Sequence, residues 1–325
     1  MWSAILPILQ TIVFPGFLFL IAVSFLYEWL DRKIYAWMQF RAGPVLAGPV
    51  GILQPLADFV KLMGKEDITP AYADRRIFGA VPIMMVALIF TFWAVVPVTG
   101  SAGLVSFRGD VVFALVSMTF FCMLVFLGGF SSADRFSLLG AERAVLQLLG
   151  FEIPLMLSLT GVCIHTGSLS LSRIVSWQAE NGWTLLGPQA IGFIIFLVAA
   201  QAELERIPFD IPEAEQEIVA GWLTEYSGRK LALIRLAKDM ELVFVSGLAV
   251  ALFLGGPVGP SPAGLEWLVY PAYFLIKLAL VVAILAFIRG LFARARIDQM
   301  VSFGLRYLVP ISLAQVAATI LWRLA

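Results

Sequence analysis

The chain has 325 residues, of which 61% are hydrophobic and 14% are charged, and its mean hydropathy is +0.93. Soluble domains carry about one quarter charged residues, so this composition excludes an ordinary soluble domain and indicates an integral membrane protein. Basic and acidic residues balance at 22 each, which gives no reason to expect nucleic acid as a partner.

The few cysteine and histidine residues limit the cofactor chemistry. Cys122, Cys163 and His165 lie in apolar stretches and form neither a CxxC pair nor a wider cluster. We therefore expect no metal site, no iron–sulfur cluster and no covalently bound cofactor in this chain. The first apolar stretch lacks the basic start and small-residue cleavage site of a removable signal peptide, so we interpret it as a retained first helix.

Apolar stretches predict an all-α integral membrane protein with eight membrane-spanning helices in a single domain, residues 1–325. Each stretch supplies the roughly 20 residues that cross ~30 Å of hydrocarbon, the last one narrowly. In chain order the predicted spans are 2–27, 77–107, 111–133, 144–172, 181–202, 242–265, 267–288 and 307–322. Only Glu152 and Lys277 place a charge inside them.

The basic residues predict the orientation of these spans. Eighteen lie in the connections that follow spans one, three, five and seven, whereas only Arg108, Arg173 and Arg323 lie on the opposite side. Because basic residues mark the cytoplasmic side, both termini are predicted to lie on the non-cytoplasmic side. Three cytoplasmic connections, 31–76, 203–240 and 289–306, are long enough to be structured and functional. The third is interpreted as a set of membrane anchors or, alternatively, as a docking surface for a soluble partner.

The connection 31–76 contains a predicted amphipathic helix. Two Gly-Pro pairs, at 43–44 and 48–49, interrupt the chain before it, and residues 31–40 either continue the first helix or lie at the interface. Apolar residues then recur at helical spacing over 51–63, which favours a helix lying on the membrane surface. An alternative interpretation is a lip at which an amphiphilic substrate leaves the bilayer.

The connection 203–240 concentrates carboxylates directly after a span. Pro208 and Pro212 prevent a continuous helix there, whereas Glu213 and Glu217 have the spacing of one helical face, where mutual repulsion raises a pKa. A solvated acidic loop is the simpler interpretation. Glu152 within an apolar span argues against it, and Lys277, deep in another span, is expected to have an interior acid partner. Together these residues predict a proton-transfer route from the cytoplasmic loop to mid-membrane.

Two long stretches carry a resemblance to a known family. RKIYAWMQFRAGP with GPVGILQPLADFVKLMGKEDITP, and AELERIPFDIPEAEQEIVAGWLTEYSG, are similar to the signature stretches of the H subunit of respiratory complex I. LGAERAVLQLLGFEIPL, FLIK at 274–277, RARIDQ and LVPISL extend the likeness over most of the chain. The resemblance implies a cytoplasmic-membrane subunit with no redox centre and no catalysis of its own. It would build the chamber in which quinone, as substrate, meets electrons from the peripheral arm.

The resemblance also implies site residues and partners. The implied quinone-binding residues are Arg32, Lys33, Gln39, Arg41, Gln54, Asp58, Phe209 and Asp210. The implied proton pathway comprises Glu142, Glu152, Glu203, Glu205, Asp210, Glu213, Glu215, Glu217, Glu225 and Lys277. The implied partners are peripheral-arm subunits that carry the terminal iron–sulfur cluster, small membrane subunits, antiporter-like subunits and lipid.

Three departures from the family pattern leave alternatives open. Asp31 replaces the frequent Glu, Val45 replaces the usual Asn, and residues 238–241 read Lys-Asp-Met-Glu where quinone-linked members often have Ala-Glu-Tyr. A quinone-independent relative, the anchor of a membrane-bound nickel–iron hydrogenase or ferredoxin-linked complex, is therefore the first alternative. A stand-alone ion-coupled transporter is the second, although neither repeated halves nor paired broken helices are evident. A purely structural anchor would not need Glu152 or Lys277.

Overall fold

The computed structural model describes residues 9–262 and 264–324, and within them every regular element is helical. In chain order the helices are α1 (Phe17–Met38), α2 (Gln54–Met63), α3 (Arg75–Trp93), α4 (Asp110–Ser131), α5 (Arg135–Thr166), α6 (Leu171–Asn181), α7 (Gln189–Glu203), α8 (Glu215–Ile218), α9 (Gly228–Phe253), α10 (Glu266–Leu291), α11 (Ile297–Phe303) and α12 (Val309–Leu324). A π-helical turn, Gly304–Leu308, joins α11 to α12. The prediction of an all-α membrane protein is confirmed.

Six of the described helical segments are long and apolar enough to cross a membrane, compared with the eight spans predicted. These segments are Leu9–Met38, Arg75–Trp93, Asp110–Ser131, Arg135–Thr166, Glu266–Leu291 and Ile297–Leu324. The helix α7 is apolar but has only 15 residues, and α9 carries charged residues through its first half. The predicted orientation of the termini stays a prediction.

Several predicted boundaries are wrong for reasons visible in the backbone. The predicted span 242–265 is displaced, because α9 begins at Gly228 and ends at Phe253, before Gly255 and Gly256 adopt positive φ angles of 77° and 58°. The predicted span 77–107 ends early, because the chain folds back after Trp93 and the Val105 amide donates to the Ala94 carbonyl. The helix α1 continues to Met38, so residues 31–38 extend the first span.

The helix α9 occupies the centre of the fold. Nearly every residue from Met240 to Phe253 is buried, and α9 packs against α1, α3 and α10. The helix α5, 32 residues and therefore about 48 Å long, packs against α4, α7 and α12. Buried amides join this second group, since Gln189 donates to the Gly161 carbonyl at 3.0 Å and to Thr319 Oγ1 at 2.8 Å. Such interhelical hydrogen bonds stabilise helix packing where lipid surrounds the protein.

The acidic connection after α7 lies against α5 because Gly140 has no side chain. A Cβ atom at Gly140 would lie 2.6 Å from the backbone nitrogen of Trp222 and 2.8 Å from the carbonyl oxygen of Pro212. Both neighbours are backbone atoms of the connection, so a side chain at this position would push the connection away from α5. Trp222 itself is fully buried beneath it.

We predict that Gly140→Ala destabilises the protein by about 1–3 kcal/mol, because the added methyl group overpacks this contact. Gly79→Ala in α3 is the matched control, since a Cβ atom there meets nothing within 4 Å. The thermal unfolding midpoint of the detergent-solubilised protein measures both. Equal effects of the two substitutions would contradict this account of the contact.

Candidate functional site: a charged cavity and a carboxylate cluster

A cavity of about 590 Å³ opens where the connection after α7 meets α1, α9 and the end of α10. Charged side chains of both signs form most of its wall. The lining charged residues are Glu28, Arg32, Glu205, Arg206, Asp210, Glu213, Glu215, Arg235, Lys238, Asp239, Arg289 and Arg294. A wall with charges of both signs suits a ligand whose own charge changes during a reaction.

The inner wall is held by ion pairs around Asp31, whose side chain is fully buried. Arg206 Nη1 approaches Asp31 Oδ1 at 2.9 Å, and Arg289 Nη1 donates to Asp31 Oδ2 at 2.6 Å. Arg206 Nη2 also donates to Glu28 Oε2 at 3.3 Å. Burial by itself lowers the pKa of Arg206, but the carboxylates of Asp31 and Glu28 outweigh it and raise that pKa above its ordinary value.

The amphipathic helix α2 is confirmed and is tied to α1 beside this cavity. Arg32 donates to Glu28 Oε1 and to Asp58 Oδ2, each at 2.7 Å, and Gln54 donates to Asp58 Oδ1 at 3.0 Å. Burial opposes ionisation of Asp58, but the hydrogen bonds from Arg32 and Gln54 lower the pKa of its carboxyl. The predicted residues Arg32, Gln54 and Asp58 therefore form one connected group.

The acidic connection forms a second group around Lys238 of α9. Its ammonium donates to Glu205 Oε2 at 2.6 Å and also pairs with Glu213, while it lies 5.3 Å from the centre of the Trp222 ring. Burial raises the pKa of the Glu205 carboxyl, although the Lys238 ammonium opposes this shift. The Glu205 backbone has a φ of 50°, an uncommon left-handed conformation for a residue other than glycine.

Asp210 belongs to the same cavity wall and pairs with Arg294. Burial raises the pKa of the Asp210 carboxyl, and the hydrogen bond from Arg294 opposes the rise. Glu213 and Glu217 do not share a helical face, because α8 begins only at Glu215. The expected repulsion between them is therefore wrong, since Glu213 pairs with Lys238 and Glu217 with Arg143.

A small enclosed cavity of about 10 Å³ lies directly behind Glu205. Its wall includes Glu203, Glu205 and Glu241, together with Gln147 and Cys122. Glu203 Oε1 and Gln147 Oε1 are buried without a hydrogen-bond partner among the described residues. A polar space of this size accommodates about one water molecule, which would satisfy both oxygens. The cluster therefore extends the line of ionisable groups from the large cavity into the helix bundle.

The remaining predicted residues lie apart from the two cavities. Thr119 donates to Glu152 Oε1 at 2.6 Å on the α4–α5 contact, while Glu142 is exposed in an apolar groove of the same two helices. Glu217 is half-exposed at the edge, and Glu225 is partly buried with no ion pair among the described residues.

Of the eight residues expected to bind quinone, only Arg32 and Asp210 line the large cavity. Gln54 and Asp58 lie beside it in the group around Arg32, and the other four lie elsewhere. Gln39 and Arg41 are exposed and hydrogen-bonded to each other at 2.8 Å, and Lys33 lies half-buried against the backbone turn at Gly43. The ring of Phe209 is buried, with its centre 4.6 Å from the centre of the Phe151 ring.

The prediction that Lys277 has an acid partner is wrong. Its ammonium donates to the Gly256 carbonyl at 2.7 Å and lies 5.2 Å from the centre of the Trp183 ring. The carbonyl becomes available because α9 ends before Gly255 and Gly256, so Lys277 stabilises the turn that follows this helix. The partners of Lys277 are a backbone carbonyl and an aromatic ring, and opposite charges in the sequence do not predict either of them.

Several site residues were missed by the sequence reasoning. They are Glu28, Arg206, Arg235, Lys238, Asp239, Glu241, Arg289 and Arg294. The positive-inside interpretation treated the basic residues as anchors and so gave no reason to assign them to a site. Helical spacing offered one usable signal, since Glu28 and Arg32 are four residues apart on α1 and Lys238 and Glu241 are three apart on α9.

Known proteins similar to this chain are membrane subunits. A family model described as NADH dehydrogenase matches residues 10–320. The H subunit of the NADH-quinone oxidoreductase of Dehalococcoides mccartyi strain CBDB1 is 40% identical over 302 residues, which cover 93% of this chain and 83% of that protein. The corresponding H subunit of Brevibacillus brevis is 36% identical, covering 98% and 92%. That of Thermomicrobium roseum is 38% identical, covering 91% and 90%.

We predict that Glu205→Gln reduces the pH dependence of stability. Because burial raises the pKa of Glu205 above 4.5, the folded protein keeps a proton that the unfolded chain releases. The free energy of unfolding therefore decreases as the pH rises from the ordinary pKa of a glutamate through the raised pKa of Glu205. The substitution removes this decrease. The thermal midpoint measured between about pH 4.5 and pH 7 should vary less than in the unsubstituted protein.

Glu215→Gln is the matched control for this pH series. Glu215 lines the same cavity but is exposed and has no ion pair among the described residues. Its substitution should leave the pH dependence unchanged. An identical pH dependence in the Glu205→Gln variant and the unsubstituted protein would contradict the assignment of the titration to Glu205.

Proposed function

This chain belongs to the NADH dehydrogenase family, and we propose that it is the membrane subunit of a complex I-type NADH-quinone oxidoreductase, coupling quinone reduction to proton translocation. The names of its relatives support quinone as the substrate. The single observation that carries the proposal is that the charged cavity and the buried carboxylate cluster share Glu205 in their walls. Electrons would come from an iron–sulfur cluster in a peripheral-arm subunit docked over the cavity.

The large cavity has the size and charge that a quinone chamber needs. Its volume of about 590 Å³ falls within the roughly 300–1,000 Å³ of small-molecule sites. Arg32, Arg235 and Arg294 line it, and their guanidinium groups would hydrogen-bond the oxygens of the bound quinone. The exposed apolar side chains of Leu53, just before α2, and Leu56, on α2, provide a path for an isoprenoid tail from the bilayer.

Protons would enter the bundle through the Lys238 group. Reduction of a quinone to a quinol consumes two protons, and Asp210 and Glu213 are carboxylates in the cavity wall. Loss or gain of a proton at Glu213 changes the charge that Lys238 must balance, and Lys238 also binds Glu205. Glu205 would pass the change to Glu203 and Glu241 across the small cavity. Small membrane subunits and antiporter-like subunits would receive it beyond Glu152 and Glu142.

The quinone-independent anchor is the second candidate, and residues 238–241 favour it. Lys238 pairs with two carboxylates and places a cation inside the acidic group. This cation would change the proton affinity of the carboxylates compared with a group that has no lysine. In that form the carboxylate cluster would operate while the large cavity binds no quinone. Measurement of H⁺ and Na⁺ uptake by proteoliposomes that contain the assembled complex distinguishes the coupled ion.

We predict that Arg235→Gln raises the KM for a short-chain quinone about tenfold with little change in kcat. Arg235 lines the cavity without an ion pair among the described residues, so the substitution removes positive charge without leaving a buried partner. Arg229→Gln is the matched control, because Arg229 is an exposed arginine of the same helix outside the cavity wall. Quinone titrations of the assembled complex measure the KM of both variants. The tenfold change corresponds to the loss of one charge-assisted hydrogen bond to the quinone. An unchanged KM in Arg235→Gln would remove Arg235 from the quinone site, whereas an unsubstituted complex that reduces no quinone would argue for the quinone-independent form.

We predict that Glu203→Gln lowers the number of protons pumped per electron by about half or more, because it removes an ionisable group from the buried cluster. NADH-driven quinone reduction in the presence of an uncoupler should persist. Proton uptake by proteoliposomes that contain the assembled complex measures the ratio. Glu180→Gln, at an exposed position on α6, is the control and should pump normally. Normal pumping by Glu203→Gln would remove this residue from the route.

A further inference from the structure

A second sizeable cavity lies at the pole of the bundle opposite the charged cavity. It has a volume of about 520 Å³ and forms where the end of α5 meets the segment before α4, the start of α6 and the end of α12. The part of α5 from Gly140 to Ile164, about 36 Å long, separates it from the acidic connection packed around Gly140. Neither the proposed quinone chamber nor the proton route uses any of its residues.

Three arginines converge on this cavity from distant parts of the sequence. Arg108, Arg173 and Arg323 all line it. They are also the only three basic residues that the sequence places outside the four loaded connections and the spans. Positive charge is scarce on the non-cytoplasmic side of membrane proteins, so the meeting of all three at one site needs a physical reason.

No ion pair balances the positive charge of these arginines in the part of the chain that the structure describes. Among the described residues, no carboxylate forms an ion pair with any of the three. Asp110, two residues from Arg108, is fully buried and accepts hydrogen bonds from the Phe107 amide at 2.8 Å and from Ser170 Oγ at 2.9 Å. Its carboxylate therefore faces the protein interior and does not line the cavity.

One of the three guanidinium groups is fixed in place. Arg323 Nη1 donates to the Ile164 carbonyl at 2.7 Å, which holds the end of α12 against the end of α5. The other donors of Arg323 stay available, and the side chains of Arg108 and Arg173 are exposed. Ser168 adds a hydroxyl group to the same wall.

The rest of the wall is mostly apolar and continues onto the surface of the bundle. Leu169 and Ile164 line the cavity, and Leu169 is half-exposed. Next to Arg323, the side chain of Trp322 is 65% exposed, as is typical of tryptophan at the boundary between lipid and water. An occupant that filled this site would thus have an anionic head and an apolar body.

We propose that this cavity binds the headgroup of an anionic phospholipid, such as phosphatidylglycerol, from the leaflet at this pole. Arginine binds phosphate oxygens with two parallel hydrogen bonds, and basic pockets between membrane helices bind anionic headgroups. The acyl chains would lie along the apolar surface beside Leu169 and Trp322. Free phosphate would use the arginines alone and leave this apolar wall uncovered. The lipid would join the ends of α4, α5, α6 and α12, independently of the quinone function.

The test uses the assembled complex in nanodiscs that contain a trace of photoactivatable phosphatidylglycerol or, separately, phosphatidylcholine with the same chains. Labelled peptides are mapped by mass spectrometry to residues 160–173 and 318–324. We expect phosphatidylglycerol to label these peptides, and phosphatidylcholine to label them about tenfold less. The double substitution Arg108→Gln/Arg173→Gln should reduce the phosphatidylglycerol label by about tenfold. This is the loss of affinity expected when two basic residues no longer attract the anionic headgroup. Arg75→Gln/Arg76→Gln removes the same charge from the start of α3 and should leave the label unchanged.

Three results would overturn the proposal. They are equal labelling by the two lipids, unchanged labelling in Arg108→Gln/Arg173→Gln, and displacement of the label by inorganic phosphate, which would make the cavity a site for a free anion. Arg108 and Arg173 make no hydrogen bond or ion pair within the described residues, so their substitution should leave folding intact. Arg108→Lys/Arg173→Lys keeps the charge and should retain most of the label, which separates charge recognition from a general disturbance of the surface.

Discussion

The arrangement of the site depends on the burial of the Asp31 carboxylate. A carboxylate with no exposed surface requires compensation, and Arg206 and Arg289 provide it from two different parts of the chain. Arg206 lies in the connection after α7, and Arg289 lies in the last turns of α10. Loss of either arginine would leave one oxygen of the buried carboxylate without its cation, which destabilises the fold. The connection is therefore held beside α1, and the charged cavity forms between them.

The same constraint operates at each step from the cavity inward. Burial raises the pKa values of Glu205 and Asp210, whereas Lys238 and Arg294 oppose the rise. Each carboxylate is thus held by two effects of opposite sign, so a small movement of one cation changes its proton affinity. The left-handed backbone of Glu205 indicates that the connection accepts local strain to place this carboxylate between the two cavities.

The sequence predicted the elements whose signal is local. Runs of apolar residues identified the helical, membrane-embedded character of the chain, and the spacing of apolar residues identified α2. The limits of α9 were not predictable in this way, because its first half mixes charged residues with buried apolar ones and so contains no long apolar run. The predicted span therefore begins at Leu242 and excludes Lys238 and Glu241.

Partners of individual side chains were the least predictable feature. The sequence suggested a carboxylate for Lys277, but the fold provides the carbonyl of Gly256, which becomes available only where α9 ends. It suggested that Glu213 and Glu217 repel each other, but the irregular chain before α8 directs them to different cations. Both errors have one cause, since the partner is decided by where a helix begins or ends and not by the residues that could complement a charge.

The departure from the family pattern at residues 238–241 concerns the charge of the site and not its scaffold. Lys238 binds Glu205 and Glu213, Asp239 lines the large cavity, and Glu241 lines the small one. Met240, between them, is fully buried in the core. A substitution that served packing alone would not place three of four residues in contact with the two cavities. Lys238 adds a cation where Asp239 and Glu241 add two acids, so the segment brings charge of both signs to the walls of the two cavities.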